Sequence, residues 1–378
     1  MRYHIALSRP SDLELTAQNA QAGKYPVNVI WDISQLLKAK VHLPIADSVS
    51  PLDIIRSKII GTPQHWALAR SLSKQLQRDD VIFCTDEDVG FPIATLCGAK
   101  VAPPKIAVFV HNINRVQGRL AFKLLNVQEW VDLFLTISPV QADFLRSSLS
   151  LPQKRVCQVI EAPPTDISFF TPGPVSPKKL RPLIGSGGLE KWDYQTLADA
   201  TQDLNVDVKI CTFSPHTKPP KRAFPKVMPS HMSCRFYDLC ELVQLYRDSD
   251  IVVVSLFENN FQAGLTTLFE AMACRRPVIV TRSSGIIGDL IDAGIVTGVN
   301  PRDPIELKQA IIKLLNEPQK TSAQAQRGYE LVLNEFNHHK YIQALVTKLT
   351  STFGSINNSK LVSLTREKPY TYPEPHPM

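Results

Sequence analysis

The sequence has no long apolar run. No stretch approaches the roughly 20 consecutive apolar residues that span a bilayer, which argues against a membrane-embedded chain. The opening MRYHIALSRP holds an apolar stretch too short for the core of a secretory signal, and Arg9 and Pro10 soon interrupt it, so a cytoplasmic protein is expected. CxxC spacing is also missing. The seven cysteines, Cys84, Cys97, Cys157, Cys211, Cys234, Cys240 and Cys274, are scattered and odd in number; they read as reduced core thiols and not as a metal site. A GxSxG turn and a Cys/His nucleophile arrangement are not evident, and no short period repeats. The basic residues are mostly dispersed and no nucleic-acid reading motif accompanies them, so nucleic acid is not an expected partner.

What the chain does have is length and an excess of positive charge. Its 378 residues exceed what one hydrophobic core usually organises, so two domains are expected. An apolar fraction of 44% with a mean hydropathy of −0.07 describes a soluble globular protein. A net charge of +7 and a pI near 9.0 favour anionic partners: nucleotides, phosphorylated lipids or membrane surfaces.

Short β-branched runs alternate with helix-like stretches: VIFC (81–84), KIAVFV (105–110), LFLTIS (133–138), VDVKICTF (206–213), DIVVVSL (250–256) and PVIVT (277–281). Continuously apolar strands separated by helices predict parallel sheets covered on both faces, a doubly wound α/β architecture occurring twice. The proline-dense EAPPTDISFFTPGPVSPKKLRP (161–182) interrupts regular structure and is the expected linker. After it, RPLIGSGGLEKWDYQTLADATQ reads as strand, glycine turn and helix, with Asp193 as N-cap. The stretch 324–350 reads as helical, and the proline-rich end, EKPYTYPEPHPM, as frayed.

One acid stands out. FQAGLTTLFEAMACRRPVIV (261–280) places Glu270 in an otherwise apolar, small or hydroxylated helix within a strand-loop-helix-strand unit. Leu265, Leu268, Phe269 and Met272 form the stripe that should pack on a sheet, while Thr266, Thr267, Glu270 and Ala273 lie on another face. A shielded carboxylate needs hydrogen-bond donors, and ribose hydroxyls are suitable ones. The helix start near Gly264 offers free N–H groups to a diphosphate. The competing structural reading leaves Glu270 exposed, or paired with an arginine.

The run QAGLTTLFEAMACRRPVIV resembles the C-terminal signature of retaining GT-B glycosyltransferases, the large "group 1" family that includes sucrose synthases and bacterial mannosyltransferases. Their pattern is an acid, seven residues, a second acid, then Ala-Met-Ala and a strand. The second acid matches Glu270, which the resemblance assigns to the donor ribose. Gln262 stands where the first acid would face the transferred sugar, and an amide cannot balance a developing cation by charge. GSGGLEKWDYQTL is similar to the family's diphosphate-binding turn, with Lys191 as its cation and Trp192 at a place that is often basic. EAPPTDISFFTP resembles the linker phrase without its Asn-Gly, and FVHNINR puts His111 where the family often lines the cleft. The glycine pair common after the first strand is missing.

The resemblance implies an α/β GT-B protein with two Rossmann-like doubly wound domains facing across a cleft. Residues 1–170 would form the acceptor domain and 171–335 the nucleotide-sugar domain. A helix over 336–355 would pack back on the first domain, with a flexible tail over 356–378. It implies sugar transfer from a nucleotide sugar to an acceptor hydroxyl with retention, no essential metal and no cofactor beyond the nucleotide-sugar substrate. Lys191, Gln262 and His111 would be catalytic. Gly187, Gly188, Phe261, Ala263, Gly264, Leu265, Thr266, Thr267 and Glu270 would bind the donor. The acceptor would be a sugar, glycoconjugate or lipid-linked molecule, with peripheral membrane contact at the inner face as a further expectation.

Other signals compete. CTDEDVG carries Asp86, Glu87 and Asp88, and an Asp-x-Asp there is the mark of metal-dependent GT-A transferases; a polar loop is the structural reading. HTKPPKRAFPK (216–226) gathers Lys218, Lys221, Arg222 and Lys226, as a solvated loop or a contact with anionic lipid. The adjacent His338 and His339 do not share a helix face and read as surface residues. Gln262 also keeps open a sugar- or nucleotide-binding protein without turnover, and the scaffold alone leaves room for an epimerase or phosphorylase.

Overall fold

The computed structural model describes residues 1–45, 49–177, 179–188, 191–211, 221–258, 263–283 and 286–355. The first half runs β1 (Arg2–Ala6), α1 (Leu13–Gln21), α2 (Val29–Leu36), β2 (Lys40–His42), α3 (Pro51–Arg56), α4 (Pro63–Gln75), β3 (Asp80–Cys84), α5 (Glu87–Gly98), β4 (Lys105–Phe109), α6 (Val116–Leu125), α7 (Val127–Trp130), β5 (Leu133–Thr136), α8 (Pro139–Asp143) and β6 (Val156–Gln158). The second runs β7 (Leu183–Gly187), α9 (Tyr194–Thr201), β8 (Asp207–Cys211), β9 (Met232–Arg235), α10 (Leu239–Asp248), β10 (Ile251–Val254), α11 (Leu265–Ala273), β11 (Val278–Thr281), α12 (Ile286–Asp292), β12 (Thr297–Val299), α13 (Pro304–Asn316), α14 (Pro318–Asn334) and α15 (His338–Phe353).

Each half builds one six-stranded sheet in which every pairing is parallel. The central strands β3, β5, β7, β10 and β11 are buried along their whole length, because helices cover both faces of a parallel sheet. The first sheet has the order β2-β1-β3-β4-β5-β6, and the second β12-β11-β10-β7-β8-β9. Strand order therefore reverses between β1 and β3 in one sheet and between β7 and β10 in the other. Such reversals open a crevice beyond the carboxyl ends of the strands, since the flanking connections leave on opposite faces. These are two Rossmann-like domains.

The second domain has one continuous core around β7, β10 and β11. In the first, one face of the sheet is covered by α4, α5 and α6. The other face buries Tyr3, Ile5 and Phe83 with Tyr341, Ile342, Leu345 and Val346 of α15. The last described helix thus packs on the domain formed by the first half of the chain, and the hydroxyl of Tyr3 donates to the carbonyl of Gly354 at 2.8 Å.

No strand or helix occurs among the described residues of 159–182. Polar contacts anchor this segment. One oxygen of Asp166 accepts from the amide of Val27 at 2.7 Å, and the other from the hydroxyl of Ser168 at 2.6 Å. The amide of His338 donates to the carbonyl of Thr165 at 2.9 Å. His338 is consequently buried, contrary to the surface position expected from its sequence; only His339 is exposed. Burial also pushes the thiols of Cys97 and Cys274 up to about 12, whereas Cys240 is exposed and not the core thiol expected. Among the described residues no helix is long and apolar enough to cross a membrane.

Candidate functional site

The crevice between β7 and β10 gathers most of the donor-binding residues expected from the sequence. β7 ends at Gly187, and Gly188 follows with φ +149. A Cβ on Gly188 would lie 2.0 Å from Nε1 of Trp192, so no other residue fits there. Trp192 is buried against Tyr194, whose hydroxyl donates to the carbonyl of Gly188 at 2.6 Å. The indole is therefore the floor of the turn. Lys191 has φ 63, an uncommon conformation for a residue with a Cβ. Its carbonyl accepts from the amide of Phe257 at 2.7 Å, and Trp192 bridges Leu256, which fastens the turn after β7 to the loop after β10. The Lys191 side chain is left exposed at this junction.

The first turn of α11 closes the crevice. Its N-cap is Gly264 at φ +78, where a Cβ would meet Cγ1 of Val254 at 2.5 Å. A glycine has no side chain to cap the helix. The first intrahelical bond runs from the amide of Leu268 to the carbonyl of Gly264, so the amides of Leu265, Thr266 and Thr267 precede the ladder and carry the positive end of the helix dipole. Leu265 and Ala263 have buried side chains, while Thr266 is exposed. The Thr267 hydroxyl is committed to the carbonyl of Gly187 at 2.7 Å, pinning the helix start to the end of β7. Phe261 and Gln262 lie outside the described residues.

Glu270 sits one turn further along and is 8% exposed. Its Oε2 accepts from the hydroxyl of Tyr246 on α10 at 2.9 Å. Among the described residues no arginine pairs with it, so neither structural alternative read from the sequence applies. Burial pushes its carboxyl from the usual 4.5 up to about 8, and the Tyr246 hydrogen bond offsets only part of that rise. Among the described residues Tyr246 is the donor it has, and a ligand offering hydroxyls would supply more.

Sequence reasoning missed Tyr246 and Arg302, and gave Arg222 another setting. The guanidinium groups of Arg222 and Arg302 lie 5.8 and 5.5 Å from the ring centre of Phe257, the residue joined to Lys191. Arg302 could have been found from its place just beyond the carboxyl end of β12. Arg222 belongs to the basic segment read as a solvated loop or lipid contact; Lys218 of that segment lies outside the described residues, as does the side chain of Lys221.

The first crevice is differently furnished. Asp86 caps α5 by accepting from the amide of Val89 at 3.0 Å, and Asp88 pairs with Arg115. Glu87 is buried and accepts from the amides of His111 and Asn112 at 2.9 and 3.1 Å. His111 is exposed beyond β4, with Nε2 at 3.2 Å from the carbonyl of Thr85. Among the described residues no group of three His, Cys, Asp or Glu could hold a metal ion. Both carboxylates of the Asp86/Asp88 reading have protein partners here, and its GT-A part is corrected by the fold. It presupposed a GT-A fold, which two separate six-stranded parallel sheets do not form.

Comparison with known proteins agrees with this architecture. Residues 190–317 match the family described as glycosyl transferases group 1. No curated protein matches the chain by sequence. The structure resembles sucrose-phosphate synthase from Thermosynechococcus elongatus, with a TM-score of 0.68 and 15% identity over 93% of this chain and 99% of that one. It also resembles an alpha,alpha-trehalose-phosphate synthase (UDP-forming) from Burkholderia vietnamiensis, with a TM-score of 0.66 and 13% identity over 93% and 97%. Anabaena HepE, solved in complex with UDP-glucose, gives a TM-score of 0.62 and 15% identity over 93% and 100%. The fold is GT-B, as the resemblance implied.

Proposed function

We propose that this GT-B chain, which carries the group 1 glycosyltransferase match in its second domain, transfers a sugar from a nucleoside diphosphate sugar to an acceptor hydroxyl, with retention and without an essential metal. The observation that carries the reading is the pairing of a glycine N-cap at the start of α11 with the buried Glu270 one turn below it, whose hydrogen-bond donor among the described residues is Tyr246. In this reading the diphosphate lies against the amides of Leu265, Thr266 and Thr267, and Glu270 accepts from the ribose diol. Gly187 and Gly188 leave room for the phosphates, Phe261 and Ala263 border the donor, and Lys191 balances the leaving charge. The match over residues 190–317 supports donor binding in this domain. Because HepE was solved with UDP-glucose, that compound is the first donor to try.

In the proposed reaction the bond from the anomeric carbon to the diphosphate oxygen breaks, and the acceptor oxygen bonds to the same face of that carbon. The departing phosphate oxygen takes the acceptor proton, so no protein nucleophile is needed. Gln262 would orient sugar hydroxyls, and His111 would line the acceptor side, in a first domain extending over residues 1–170. The acceptor would be a sugar, a glycoconjugate or a lipid-linked molecule, reached by a cytoplasmic protein in peripheral contact with a membrane.

Donor titration of wild type and Glu270→Ala tests the ribose role. The variant should bind at least about tenfold more weakly and lose transfer; unchanged donor affinity removes the assignment. Transfer should survive EDTA. The amide at Gln262 favours a second reading, a nucleotide-sugar-binding protein without turnover, in which donor raises the melting temperature and no nucleotide is released with any acceptor.

A further inference from the structure

The helix α6 exposes apolar side chains at a spacing that folding of the chain does not use. Val116, Leu120 and Leu124 recur every four residues and are 83, 43 and 58% exposed, forming one ridge along the helix. Arg119 and Lys123, also four apart and exposed, form a parallel ridge beside it. The opposite face is fixed in the domain: Ala121 and Phe122 are buried, and a Cβ on Gly118 would lie 2.2 Å from the carbonyl oxygen of Ile113. The helix cannot roll to hide its apolar ridge.

We propose that this outward face of α6 docks on an anionic phospholipid bilayer, laying Val116, Leu120 and Leu124 into the headgroup and acyl boundary while Arg119 and Lys123 meet lipid phosphates. Charge complementarity selects this occupant. Arg119 is held by the side chain and carbonyl of Asn114 and lies 5.4 Å from the ring centre of Phe144, none of them acidic. A cavity of about 510 Å³ opens beside the basic ridge, lined by Arg119, Lys123, Phe144 and Ser148 among others, with room for a headgroup next to both cations. An apolar ridge flanked by a basic one is the pattern that binds membrane interfaces, each cation near an anionic surface adding to the attraction.

The inference rests on the peripheral contact in the proposed function and gives it a location. α6 starts five residues after His111, so docking would bring the first crevice to the lipid surface, where a lipid-linked acceptor would present its hydroxyl.

Co-sedimentation of the full chain with vesicles tests the proposal without any transfer assay. Wild type should bind vesicles of equal parts phosphatidylglycerol and phosphatidylcholine, and bind phosphatidylcholine alone at least about tenfold more weakly. Arg119→Glu with Lys123→Glu should weaken binding at least about tenfold, as should Leu120→Ser with Leu124→Ser. All four side chains point outward, and an unchanged melting temperature verifies that the variants are folded. No binding of wild type to either vesicle overturns the membrane contact itself. Equal binding of wild type and both variants overturns the α6 face alone. A concentration-dependent dimer lost in the leucine variant would show that a second copy covers the ridge, and would also overturn the proposal. None of these outcomes depends on donor binding, so the transferase reading fails or stands separately.

Discussion

At the first reversal of strand order, the helix that follows β3 brings acids to its first turn; at the second, the helix that follows β10 brings none there. Asp86, Glu87 and Asp88 occupy the start of α5, cap it and bind neighbouring amides or Arg115. The start of α11 has a glycine N-cap, no acid in its first turn, and Lys191, Arg222 and Arg302 around the adjoining Phe257. The same topology thus yields opposite electrostatics. A helix end already neutralised by carboxylates repels a phosphate, while an uncapped one attracts it. The contrast is the one the proposed division of donor and acceptor between the two domains requires.

The most damaging way to break the contrast is to close the open helix end. Gly264→Ala forces a Cβ into a left-handed backbone and against Val254. It should cost about 2 kcal/mol of stability or more and abolish donor binding, read by denaturant unfolding and by titration. Retained donor affinity would detach the α11 N-terminus from the diphosphate.

Glu270 provides the next largest effect, through pH. Its carboxyl is pushed up to about 8 in the folded protein, so the folded state holds the proton more tightly than the unfolded chain does. That contribution is fully present below about pH 4.5 and is lost as pH rises towards 8. Glu270→Gln keeps a neutral, hydrogen-bonding side chain at every pH. Its stability relative to wild type should therefore rise between pH 5 and pH 8.5, by an amount on the order of a few kcal/mol. Parallel pH profiles would mean that Glu270 ionises normally.

Lys191→Ala should lower transfer about tenfold, equivalent to at least ~1 kcal/mol of leaving-group stabilisation. A loss below about threefold would shift the diphosphate charge to Arg302 or Arg222.

The parts of this contrast that could be read from sequence are those set by local pattern. Runs such as VIFC and DIVVVSL became β3 and β10 because continuous β-branched residues suit a strand buried on both faces. The short β2 and β12 escaped notice: each has three residues of mixed exposure and no apolar run. Glu270 stood out because its neighbours are apolar, yet Tyr246 lies 24 residues away on α10, and only tertiary packing brings the phenol to the carboxylate. Trp192 gave no warning that it would floor the Gly188 turn. His338 looked exposed because its buried setting comes from Thr165 and Asp166, far back in the chain.

The gentlest test addresses the closed crevice. Asp86→Ala removes the acceptor for the Val89 amide and should cost about 1 kcal/mol of stability, while donor affinity stays as in wild type. If the acids of α5 serve only to satisfy their own helix and its neighbours, EDTA or added manganese should change neither the variant nor the wild type. A manganese-dependent gain in donor affinity that disappears in Asp86→Ala would restore a metal role to this crevice. It would also undo the contrast, because the first helix end would then attract a diphosphate through a bridging cation while the second attracts it directly.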